Sequence, residues 1–164
     1  MARSQGAASR ARHGFWQTVA MKVAVIYDSL TGNTKRAAHF IAEGFLAEGH
    51  EASVSPVNRL DLGAIGAADL VVLGSWVHGA FIIGQAPALE LRQKFTGVLP
   101  SLEGKRCVTY CTYALTGTGV LDKMAKVAEG VGMRHEGGLL IKRSKLEEGA
   151  NLLVDRVLGN LVAA

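Results

Sequence analysis

Short apolar runs of strand length alternate along this chain with segments whose apolar positions recur every three to four residues. Val23-Ala24-Val25-Ile26-Tyr27 is continuously apolar, the pattern of a parallel strand buried on both faces. In the next segment Ala37, Ile41, Gly44, Phe45 and Glu48 share one helical face, with Lys35, Arg36 and Glu43 off it. Glu51 to Ser55 predicts a second, less apolar and more exposed strand, followed by a short helical piece near Leu60 to Ala67. Asp69-Leu70-Val71-Val72-Leu73, ending at Gly74, is the clearest buried strand. A helix opens at Ala86-Pro87, since proline suits a first helical turn, and continues through Leu89, Leu91 and Phe95. Arg106 to Cys111 predicts a fourth strand. Val120, Met124, Val127, Ala128 and Val131 then give helical spacing over 119–131. Gly138 to Ile141 predicts a fifth strand. Ser144 and Glu147 have the spacing of a capping box before a last helix whose core face includes Leu153, Val157 and Leu161.

Five strands alternating with five helices predict an α/β domain with a parallel sheet covered on both faces, because each parallel crossover lays a helix on a face. Periodicity alone does not give the strand order. Composition agrees: 164 residues make one domain of ordinary size. With 49% apolar residues, 6% aromatics and 20 glycines, the core should be built of Val, Leu and Ala under closely packed helices.

Residues 1–20 differ from the rest. Arg3, Arg10 and Arg12 stand among Ala, Ser and Gly, then Phe15-Trp16, with no apolar core of signal-peptide length. They read as a disordered arm or an upstream start, with Met21 an alternative initiator, leaving 21–164 as the folded domain. No apolar stretch approaches the roughly 20 residues that span a bilayer, so a soluble, cytoplasmic protein is expected. The net charge is +4, but residues 21–164 hold 15 of the 18 basic and all 14 acidic residues, a net of +1. The excess sits in the arm, which argues against nucleic acid as a partner. Lys142-Arg143-Ser144-Lys145 is the one basic concentration and reads as a solvated strand end. Cys107 and Cys111 lie four apart in a strand, about 13 Å between Cα atoms at strand rise, too far for a disulfide. They are expected to be reduced, partly buried thiols, and no metal-ligand spacing is present.

The candidate chemistry starts at Ser29-Leu30-Thr31-Gly32-Asn33-Thr34, between the first strand and the first helix. Three hydroxyls, a glycine and an asparagine can cap a helix and wrap its unpaired N–H groups around an anion. A phosphate held this way needs neither a metal nor a lysine. The same residue types also suit an ordinary strand-to-helix turn.

This stretch resembles the phosphate loop of the flavodoxin family, which reads hydroxyl residue, any residue, Thr/Ser, Gly, any residue, Thr. Every patterned position matches. The resemblance implies FMN as the cofactor, with Ser29, Thr31 and Thr34 as hydroxyl donors, Gly32 and Asn33 as the main backbone donors, and Leu30 within the loop. It also implies a flavodoxin-like doubly wound five-stranded parallel sheet in the order 2-1-3-4-5, helices on both faces. Ligands then bind beyond the carboxyl ends of the first and third strands.

Two further loops would meet the flavin. Gly74-Ser75-Trp76-Val77-His78-Gly79 stands where flavodoxins often carry Gly-Ser/Thr-Pro-Thr-Trp/Tyr along the isoalloxazine. The resemblance makes Trp76 the ring contact and puts the backbone of Ser75, Val77, His78 and Gly79 around the flavin. This chain lacks the proline and places its aromatic earlier. His78 is a donor or proton relay near the flavin, or simply a solvated histidine. In the third loop Thr112, Tyr113 and Ala114 approach the cofactor, Tyr113 as a second wall. That loop is typically acidic in electron-carrying flavodoxins, whereas no carboxylate appears here until Asp122. Nothing suggests the insertion in the last strand that marks long-chain members.

The resemblance implies a redox protein moving electrons through bound FMN to partner proteins or a small-molecule acceptor, as monomer or homodimer, with no catalytic side chain of its own. The alternative is an NAD(P)H-dependent FMN reductase of quinones or similar small acceptors. A receiver domain shares the topology but needs an aspartate at the end of strand three and an acidic pair after strand one. Gly74-Ser75 and the lone Asp28 do not supply them. A flavodoxin-like fold without cofactor is a further reading, and no Gly-x-Ser-x-Gly elbow is present.

Overall fold

A computed structural model describes residues 19–77, 102–115 and 119–163. Five strands form one sheet: β1 (Lys22–Tyr27), β2 (Glu51–Pro56), β3 (Leu70–Trp76), β4 (Arg106–Tyr113) and β5 (Arg134–Lys142). Their order is β2-β1-β3-β4-β5, and every neighbouring pair is parallel. The described helices are α1 (Asn33–Ala47), α2 (Leu62–Ala67), α3 (Val120–Gly130) and α4 (Leu146–Ala163). The helix expected from Ala86 lies outside the described residues, as does the arm before residue 19.

Alternation along each strand builds two cores. Val23, Val25 and Tyr27 of β1, Leu70 and Val72 of β3, Val108 and Tyr110 of β4 and Ile141 of β5 pack under α1 and α4. Ala24, Ile26, Val71, Leu73, Cys107 and Cys111 point to the opposite face, with Ile65 of α2 and Met124, Val127 and Ala128 of α3. β2 is one edge of the sheet and less buried than β1 and β3, but mostly half-buried rather than exposed, with only Glu51 in the open.

Helix α1 buries Ala37, Ile41 and Phe45 completely. Glu48, expected on that face, is instead the exposed C-cap, donating its N–H to Gly44 and Phe45 carbonyls. Gly49 then turns the chain at φ 84°, where a side chain would be strained. Packing against α4 is close at Gly44, where an added Cβ would lie 2.9 Å from Val154 Cγ2.

Three strand ends differ from expectation. β3 runs on to Trp76 and β4 to Tyr113, so Ser75, Trp76, Thr112 and Tyr113 are strand residues, held by continued pairing of Ser75 with Cys111, Trp76 with Thr112, and Tyr113 with Lys142 of β5. β5 starts at Arg134 rather than Gly138, with an irregularity where Glu136 is inserted between His135 and Gly137, the partners of Cys107 and Val108. Gly137 takes φ 146° there. Ser144 does not cap α4 from outside but lies within a 3-10 turn, Arg143–Lys145, that leads into the helix. Both cysteines are free and fully buried, not partly. Burial pushes the Cys111 thiol up to about 12 and Cys107 higher still, so both remain protonated and inert.

Candidate functional site at the carboxyl end of the sheet

The carboxyl ends of β1, β3 and β4 meet over the first turn of α1. Gly32 precedes the helix in the left-handed region at φ 91°, and the first helical bond runs from Arg36 N to Gly32 O at 3.0 Å. The N–H groups of Asn33, Thr34 and Lys35 therefore have no carbonyl within the helix to donate to. No acidic residue occupies that first turn, so the positive end of the helix dipole is not neutralised locally.

The turn is shaped by its own side chains. Ser29 Oγ accepts from Gly32 N at 3.1 Å, and Asn33 Nδ2 donates to Thr31 Oγ1 at 3.2 Å. Ser29, Gly32 and Asn33 are half-buried, while Leu30 and Thr31 are exposed. A cleft of about 350 Å³ runs beside the turn, between Asp28, Ser29, Gly32 and Lys35 on one side and Pro56 and Asn58 on the other.

Thr34 lies differently from the rest of the turn. It is 1% exposed, and its hydroxyl sits 2.8 Å from Thr112 Oγ1 and 3.3 Å from the Ser75 carbonyl. One buried side chain thus ties together the first turn of α1, the end of β3 and the end of β4. Val77 N donates to Thr112 O at 3.1 Å, which keeps the second segment against the third.

Ser75 Oγ is buried with no hydrogen-bond partner among the described residues. A buried hydroxyl left this way costs on the order of 1–3 kcal/mol unless something else satisfies it. Trp76, Val77 and Tyr113 are half-buried around the same edge, and Ala114 and Leu115 are exposed. Of the fourteen residues singled out from sequence, His78 and Gly79 lie outside the described residues.

Sequence reasoning missed Tyr110. Fully buried on β4, it passes over Gly74 of β3 and donates its hydroxyl to the Thr34 carbonyl at 2.9 Å. Gly74 must be glycine for this, because a Cβ there would stand 2.0 Å from Tyr110 Cζ. The signal was present as a tyrosine in an apolar strand opposite a glycine: a buried phenol needs a partner for its hydroxyl.

A family model described as a flavodoxin domain matches residues 24–119, more than half of the chain. The chain belongs to the flavodoxin family. No curated protein matches it. Among solved structures it is similar to two-electron reduced Megasphaera elsdenii flavodoxin, at TM-score 0.62 and 18% identity, covering 81% of this chain and 98% of that one. A flavodoxin from the domain Archaea gives TM-score 0.62 at 20% identity, covering 84% and 99%. Rubredoxin oxygen:oxidoreductase from Desulfovibrio gigas gives TM-score 0.60 at 21% identity, with 87% of this chain matching 37% of that one. At these identities the likeness is one of fold, and the sheet order β2-β1-β3-β4-β5 is the flavodoxin order. Among the described residues no helix is long and apolar enough to cross a membrane, and no cluster of His, Cys, Asp and Glu is placed to hold a metal.

Proposed function

We propose that residues 21–164 form an FMN-binding domain that passes electrons through the non-covalently held flavin, in the cytoplasm, to a redox partner or a small acceptor. The observation that carries this reading is the cradle at α1: a left-handed glycine, three helix amides without helical acceptors, and the Ser29 and Thr31 hydroxyls beside them. The orphaned Ser75 hydroxyl at the end of β3 is a further unsatisfied polar group at this end of the sheet.

The flavin supplies the electron chemistry when bound. The residues of this chain bind and shield. Ser29, Leu30, Thr31 and Asn33, with the Lys35 amide, would hold the phosphate through amides and hydroxyls, while Gly32, its N–H on Ser29 Oγ, and Thr34 shape the turn. Ser75 offers its hydroxyl, Trp76 and Tyr113 supply aromatic surface at the ring, Val77 and Ala114 border it, and Thr112 backs the turn through its bond to Thr34; His78 and Gly79, outside the described residues, remain proposed flavin contacts. No side chain is assigned as acid, base or nucleophile.

A second reading, reduction of FMN directly by NADH or NADPH with quinones or similar molecules as acceptors, is favoured by the lack of carboxylates in Thr112–Leu115. An acidic rim that would steer a basic protein partner is missing there. An absorption spectrum of the purified protein, followed by anaerobic titration with NADH and NADPH, tests both. Flavin bands are expected. Bleaching by the nicotinamide alone selects the reductase, bleaching only through a reductase protein selects the carrier, and a colourless protein that takes up no FMN overturns both.

A further inference from the structure

We propose that Tyr110 is a positioning residue for the phosphate cradle, aiming and polarising the Lys35 amide from beneath while touching no ligand itself. This rests on the FMN reading above and adds to it a residue that lies outside the binding turn.

The geometry runs through one peptide unit. Tyr110 donates to the carbonyl oxygen of Thr34 at 2.9 Å. That carbonyl and the Lys35 N–H belong to the same planar amide, and the Lys35 N–H is one of the three at the mouth of α1 without a helical acceptor. Drawing electron density onto the oxygen makes the N–H across the bond a stronger donor, as in any chain of coupled hydrogen bonds. The same contact fixes the tilt of the first helical turn, since the phenol reaches it from β4 across β3.

The surroundings hold this arrangement. Tyr27, Gly74 and Tyr110 stand in register across β1, β3 and β4, and the missing side chain at Gly74 is the slot through which the ring passes. Thr34 adds a second tie from its hydroxyl to Thr112 Oγ1 and Ser75 O. With that hydroxyl engaged inward, Thr34 also acts as an anchor under the cradle. Burial in the apolar core, with smaller contributions from Cys111 and Tyr27, pushes the Tyr110 phenol well above its ordinary range. It therefore stays a donor throughout the working range of pH.

The test compares FMN with riboflavin, which lacks the phosphate, on full-length wild type and Tyr110→Phe. Binding is followed by flavin fluorescence. FMN affinity should fall about two- to fourfold, the loss expected when a phosphate-binding amide loses the polarisation and aim that Tyr110 gives it, while riboflavin affinity stays unchanged. Equal losses for both flavins, or none, would overturn the positioning role. Failure of the wild type to bind FMN would instead overturn the FMN reading itself. If the Phe variant does not fold, wild-type protein decides the matter by NMR. The Lys35 amide proton should move downfield on adding FMN or inorganic phosphate and stay in place with riboflavin; a Lys35 resonance indifferent to phosphate sinks the proposal.

Discussion

The two ends of the sheet use their polar groups in opposite ways. At the amino end several polar groups reach across the sheet to partners on other elements. Met21 N donates to His50 Nδ1 and Lys22 N to Asp69 Oδ2. Lys105 Nζ donates to the carbonyls of Gly66 and Ala68, and Arg134 Nε to Gly104 O. Arg106 makes two bonds to Glu136, at 2.7 and 2.8 Å. At the carboxyl end the Tyr110, Thr34 and Thr112 hydroxyls are tied inward, but three amides of the first turn of α1 have no helical acceptor, and Ser75 Oγ and Arg143 Nε are buried with no hydrogen-bond partner among the described residues. An end that spends its polar groups on itself is a foundation. One that leaves them unspent can bind a ligand.

The sharpest break in this contrast is at Gly74. An alanine Cβ there would meet Tyr110 Cζ at 2.0 Å and its hydroxyl oxygen at 2.2 Å, so the fully buried ring must leave its slot and give up its bond to Thr34 O. Overpacking and the lost hydrogen bond together should destabilise Gly74→Ala by about 2–4 kcal/mol, read by urea denaturation. A variant as stable as wild type would mean that the ring has another place to go.

Thr31→Val probes the reserve directly. Thr31 is exposed and its hydroxyl contacts only the Asn33 amide among the bonds described, so the fold should be almost indifferent to its loss. FMN binding should weaken by about 1.5–3 kcal/mol, the range for a hydrogen bond to a charged group, measured by fluorescence titration. Unchanged affinity removes Thr31 from the cradle.

The hydrophobic pattern disclosed the sheet because parallel strands buried on both faces leave continuous apolar runs, as in Val23–Tyr27 and Leu70–Leu73. Strand ends were less legible. Gly74-Ser75-Trp76 and Thr112-Tyr113 have the composition of loops, yet pairing of β4 with β3 and β5 carries both strands through them, which is tertiary context that no local pattern contains. The start of β5 was hidden for a related reason: the inserted Glu136 breaks the alternation of Arg134–Gly137. In the site, the loop motif marked the turn residues, but the inward Thr34 hydroxyl and the reach of Tyr110 depend on contacts 78 and 76 residues apart. Only the folded sheet brings those residues together.

Trp76→Ala should separate the two ends in another readout. Trp76 is half-buried on the last residue of β3, so its truncation is expected to move the flavin absorption spectrum or the midpoint potential while shifting stability by only about 1 kcal/mol. A large loss of stability with an unaltered spectrum would make Trp76 a packing residue of the foundation.

The smallest effect belongs to the amino end, where the bidentate Arg106–Glu136 pair sits at the surface with side chains 23% and 35% exposed. The hydrogen bond from Arg106 is the main cause that holds the Glu136 carboxyl below its ordinary range, outweighing partial burial. A carboxyl lowered by folding stabilises the native state above the unfolded value, about 4.3, and that contribution disappears as pH falls through the lowered folded value. Solvent screening keeps it small, so Glu136→Gln should cost less than about 1 kcal/mol near pH 7. The gap between variant and wild type in denaturation midpoint should close on acidification and shrink with added salt, while FMN affinity stays the same. A loss of FMN affinity in Glu136→Gln would mean that the two ends are coupled through β4, and the division between foundation and ligand end would have to be abandoned.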